Sequence, residues 1–88
     1  MKLSREDQEL LRSLECEERD FPQIERALRK DMTTYKLEKK RISREQAIEL
    51  LGKRDFLSGI SRSAFHCTSV RKTADGRFVH FNSYNLFK

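Results

Sequence analysis

Residues 69–81, SVRKTADGRFVHF, constrain the fold more than any other stretch: two runs that alternate apolar and polar residues meet at Asp75-Gly76. A period of two puts Val79 and Phe81 on one face of a strand and Phe78 and His80 on the other. Asp-Gly tolerates the positive φ angles of a tight turn. A β-hairpin near the C-terminus follows, which rules out an all-helical fold. Arg71, Lys72 and Arg77 flank the turn, so the hairpin either reaches an anionic partner as a wing or closes a small core.

The rest of the chain reads mainly as helix. Ser4 with Asp7 three residues on is a helix start, and Leu3, Leu10, Leu11 and Leu14 form a stripe, predicting helix over about residues 4–18. Asp20 followed by Pro22 starts a second helix, because proline is tolerated in the first turn, and Phe21, Ile24, Ala27 and Leu28 carry its apolar side to near Met32. TTYKL switches to strand-forming residues, EKKR reads as a charged turn, and Ile42 begins a brief return strand; the basic cluster Lys36, Lys39, Lys40 and Arg41 there reads as a solvated turn or as a contact for phosphates. Ser43 with Gln46 is a capping-box pattern ahead of a helix over residues 44–51, stopped by Gly52. Asp55 is placed to cap a fourth helix, with Phe56, Leu57, Ile60, Ala64 and Cys67 at helical spacing. Gly59 and three serines weaken that helix, so tertiary packing must hold it. In SYNLFK, Tyr84, Leu86 and Phe87 either alternate or pack as a tail.

These elements make one small basic α+β domain over residues 1–88, with no internal repeat and no Gly/Ser/Pro linker. A domain of 88 residues has a lean core and no room for a large enclosed cleft. Charge is unevenly spread. Residues 1–31 hold seven Lys/Arg against nine Asp/Glu, net −2, and residues 32–88 hold twelve against five, net +7; together these give the overall +5. An anionic partner, DNA or RNA, is therefore expected on the C-terminal half.

The order is helix, helix, strand, helix, helix, hairpin; its helix pair followed by a basic hairpin, about residues 43–81, resembles the winged helix-turn-helix, and GISRSAFH is similar to the start of a recognition helix. On the physical reading, if the fourth helix and the hairpin tip lie side by side, Ser61, Arg62 and Ser63 offer polar groups to bases or backbone. Lys53, Arg54, Arg71, Lys72 and Arg77 would add positive charge beside them. The spacing departs from the family pattern: Ala47 lies five residues before Gly52, and with Gly59 as the turn Asp55 would take the small-residue position. A second reading is a stoichiometric protein-binding modulator or inhibitor of the kind carried by phages and mobile elements, as anti-CRISPR proteins are, acting on a nucleic-acid-handling partner. Glu9, Glu15, Glu17 and Glu18 would carry that role.

Catalysis finds no support, since no nucleophile, base and orienting group are recognisable together and no phosphate-binding loop is present. No cofactor is expected. His66, Cys67 and His80 lack the paired spacing of a structural zinc site, and Cys16 and Cys67 read as free thiols. No apolar run approaches the length of a membrane span, and MKLSREDQELL lacks the apolar centre of a secretory signal, so a cytoplasmic monomer or homodimer is expected.

Overall fold

Both capping boxes form. In the computed structural model, which describes residues 3–88, the Asp7 backbone N–H donates to Ser4 Oγ and the Ser4 N–H to Asp7 Oδ2, starting helix α1 (Arg5–Ser13). Gln46 and Ser43 exchange the same two bonds at the start of α3 (Arg44–Leu51). Each box satisfies two donors that a helix N-terminus otherwise leaves orphaned.

Helix ends fall earlier than expected wherever no glycine marks them. Helix α1 stops at Ser13 rather than near residue 18, because Glu15 takes a positive φ of 68°. The Cys16 N–H then bonds Leu11 O and the Glu15 N–H bonds Arg12 O, closing the helix in the manner usually supplied by glycine. Helix α2 (Phe21–Ala27) ends five residues before Met32, and the buried Thr33 hydroxyl takes the Ala27 carbonyl. Gly52, at φ 82°, alone separates α3 from α4 (Lys53–His66), and the Phe56 N–H bonds its carbonyl. Asp55 thus lies inside the first turn of α4 instead of capping it. Cys67 is not on the apolar stripe of α4 but terminates the helix at φ 72°.

The strands β1 (Thr34–Leu37), β2 (Lys40–Ile42), β3 (Thr68–Lys72) and β4 (Phe78–Asn82) form one antiparallel sheet in the order β2-β1-β4-β3. Together with the helices they make the α+β domain that the sequence pattern predicts, in the predicted order. The hairpin β3–β4 does not project as a wing: β4 is an interior strand and β3 an edge. Its turn is a three-residue loop, with the Gly76 N–H bonded to Thr73 O, the Thr73 N–H bonded to Arg77 O and Gly76 alone at positive φ. A type I turn followed by a left-handed glycine fits that pattern.

All helices lie on one side of the sheet. Tyr35, Val79 and Phe81 point into that layer and are buried against Phe56, Leu57 and Ile60 of α4. The rings of Tyr35, Phe56 and Phe81 close a triangle with centroids 5.5–5.9 Å apart. Gly59 lets α4 approach β4, since a Cβ there would meet Phe81 Cζ at 2.5 Å. The buried hydroxyls of Ser63, Ser83 and Thr33 link α4 to the ends of β4 and β1. The C-terminal segment folds back as a 3-10 turn (Tyr84–Phe87) that buries Leu86 and leaves Tyr84 and Phe87 exposed. No helix among the described residues is long and apolar enough to cross a membrane. Cys16 and Cys67 are free thiols, half-buried.

Candidate nucleic-acid interface

With every helix on one side, the other face of the sheet is open. Pairing of Lys36 with both Arg41 and His80, and of His80 with Val70, lines these four residues up in one row across all four strands. At the usual spacing between strands the row spans about 14 Å. Phe78 opposite Lys72 begins a second row, and Thr34, Asn82 and Thr68 make a third. Lys36, Arg41, Lys72 and His80 are exposed, and Val70 and Phe78 remain 42% and 43% accessible.

The strands hold five basic residues, Lys36, Lys40, Arg41, Arg71 and Lys72, and no Asp or Glu. Among the described residues no ion pair engages Lys36, Arg41 or Lys72. Lys36 and Arg41 are direct cross-strand partners, an arrangement that destabilises a sheet unless an anion joins it. Lysine on an edge strand protects against aggregation, but Lys36 sits on an interior strand where that reason does not apply. Arg41 also borders a depression lined by Arg29, Lys30 and Arg44, whose charge is partly offset there by Asp31 and Glu45.

The residues singled out in sequence do not share one surface. Lys53 Nζ pairs with Asp7 Oδ1 at 3.2 Å and Arg54 donates to Ser13 Oγ at 2.8 Å, so both fasten the start of α4 to α1. Ser63 is fully buried and is corrected from a base-facing group to a core hydroxyl. Half-buried Ser61 donates to Ser58 O one turn back. Arg71 and Lys72, adjacent in sequence, point to opposite faces of β3 because side chains alternate along a strand. Arg71 turns to the helices, with Nε and one terminal nitrogen on Ser58 Oγ at 3.0 and 2.9 Å and the other terminal nitrogen on Val70 O at 2.7 Å. Only Lys72 reaches the open face. Exposed Arg77 is held at the turn by Asp75, 2.8 Å away. This pair, with the Thr73 hydroxyl also donating to Asp75, draws the Asp75 carboxyl down to about 2, and the same carboxylate raises the Arg77 pKa.

Arg62 and Arg71 border one groove, which Glu15, Asp20, Ser58 and Ser61 also line. Its carboxylates offset the charge that a phosphate would need. The acidic set is dispersed as well: exposed Glu9 stays on α1, while Glu15, Glu17 and Glu18 lie beyond its end. Glu17 pairs with Arg19 at 2.5 Å and Glu18 with Arg12 at 2.6 Å.

Of this candidate face, sequence reasoning reaches Lys36 and Arg41 only as part of a basic cluster read as a solvated turn or a phosphate contact, and misses Val70, Phe78 and His80. Their signal was the period of two: each alternates with a residue turned to the helices, but the register that assembles them is set by tertiary pairing. Among the described residues no cluster of His, Cys, Asp or Glu is placed to hold a metal ion. Comparison with protein-family models, curated protein sequences and solved structures gives no match.

Proposed function

We propose that this is a non-enzymatic nucleic-acid-binding domain that uses the open face of its sheet. One observation carries the reading: a bare four-stranded face with Lys36, Arg41 and Lys72 free of ion pairs and no carboxylate on any strand. Phosphates attract such a surface regardless of sequence, through neutralisation and release of counterions. The domain would act in the cytoplasm, where its two thiols stay reduced.

The test is fluorescence anisotropy with labelled oligonucleotides across a salt series. Three phosphate contacts predict a slope of log affinity against log salt of about −2 to −3. Replacing Lys36, Arg41 and Lys72 with alanine should flatten that slope and abolish binding at moderate salt. The same change at Lys53, Arg54 and Arg77 should leave the slope nearly intact. No binding even at low salt refutes the reading. It would favour the alternative of a protein-binding modulator, for which the exposed carboxylates Glu9, Glu15, Glu17 and Glu18 remain the support.

A further inference from the structure

The open face is divided by chemistry. Its β1–β2 half carries the cations Lys36 and Arg41, with Lys39 and one carboxylate, Glu38, bordering it from the β1–β2 turn, while its β3–β4 half carries Val70, Phe78 and His80, with Lys72 alone at the far end. Phe78 and His80 stand two residues apart on interior strand β4, with ring-bearing positions about 7 Å from each other. A ring 43% exposed, on the same face as Val70 at 42%, is unfavourable in water and gains from a flat apolar partner.

A double helix supplies that partner only where a base step is unstacked, at a cost in stacking energy, because its base faces are otherwise stacked on one another. The commonest duplex readers present a helix or a two-stranded ribbon that enters the major groove, whereas this surface is a broad sheet with no such projection. A single strand separates the two chemistries along its length, with charged backbone on one side and bases on the other. Exposed aromatic rings on a sheet and a basic track for the backbone are the general means of holding one.

Resting on the nucleic-acid reading above, we infer that the ligand is a single-stranded nucleic acid. Its bases stack on Phe78 and His80, and its phosphates lie over Lys36 and Arg41. Stacking tolerates any base, so the domain binds single strands with little sequence preference.

The experiment compares oligo-dT, oligo-rU and a mixed-sequence DNA duplex, each about 12 nucleotides long, on the wild-type chain, Phe78→Ala and Phe78→Trp. The inference expects at least one single strand to bind about tenfold or more tighter than the duplex, and Phe78→Ala to remove most of that advantage without changing duplex affinity. The chain has no native tryptophan, so Phe78→Trp gives a direct reporter whose emission is quenched by the single strand and not by the duplex. Trp keeps an aromatic at the position and carries the test should the alanine variant fold poorly. Equal affinity for single strand and duplex, with Phe78→Ala silent and Trp unquenched, overturns the inference. If Lys36→Ala and Arg41→Ala still weaken both ligands, the broader nucleic-acid reading survives that result. Absence of binding to every probe at low salt overturns both.

Discussion

Gly59→Ala tests the packing on which the whole sheet depends. A Cβ on Gly59 would lie 2.5, 2.6 and 2.9 Å from three atoms of the Phe81 ring, about 1 Å inside ordinary carbon contact. The ring has no direction of retreat, because it is 1% exposed and held in the triangle with Tyr35 and Phe56. The Gly59 carbonyl is itself tied to β3 by the Ser69 hydroxyl at 2.7 Å, so α4 cannot slide away freely. Overpacking of this kind costs about 1–3 kcal/mol, and an overlap this large belongs at the upper end. Alanine regains about 1 kcal/mol of helix propensity. The net expectation is a loss of about 2 kcal/mol, or roughly 8–16 °C in Tm for a domain of this size. Urea unfolding followed by circular dichroism measures it. In a Phe81→Leu background the same glycine replacement should be neutral or stabilising by up to about 1 kcal/mol. A stabilised single variant, or equal effects in both backgrounds, would refute the close approach of α4 to β4.

Three further outcomes follow from the same geometry. Ser63→Ala should cost only about 1 kcal/mol in urea unfolding and leave oligonucleotide affinity unchanged, because Ser83 can donate to Thr33 instead and Thr33 already donates to Ala27 O. Arg71→Ala should cost about 1–2 kcal/mol and speed amide exchange in β3, since it removes the staple to Ser58, whereas Lys72→Ala should affect binding and spare stability. Burial pushes the Tyr35 hydroxyl up to about 12, with Arg44 partly opposing that shift. The folded state therefore holds a proton that the unfolded state releases near pH 10, and stability should fall as pH rises from about 10 to 12 in alkaline unfolding. Tyr35→Phe should lose that dependence.

Local signals in the sequence were enough for the order of the elements, and their failures are instructive: β2 starts at Lys40, inside the stretch read as a turn, and ends at Ile42, where it was expected to begin. Ser4 with Asp7, Ser43 with Gln46, Gly52 and Asp75-Gly76 each encode a boundary in the residues themselves, and each appears where expected. The end of α1 was hidden because Glu15 adopts a conformation that the sequence normally announces with glycine. The division of Arg71 from Lys72 was readable from alternation alone, since Ser69 and Arg71 share a parity and Val70 and Lys72 the other. What no local pattern could give is the pairing of β1 with β4, which joins residues 34–37 to 79–82 across about half the chain and creates the open face. Ser63 shows the same limit. A serine beside an arginine in a polar stretch looks exposed until the hydroxyls of Thr33 and Ser83 arrive from distant segments to satisfy it.

The location of the contact surface is the central claim, and amide chemical-shift mapping with a short single-stranded oligonucleotide at low salt tests it most directly. The account predicts shifts concentrated at Lys36, Arg41, Val70, Lys72, Phe78 and His80, with Arg54, Arg62 and Arg77 little changed. Shifts confined to α4 and the Asp75-Gly76 turn, with the open face silent, would contradict it.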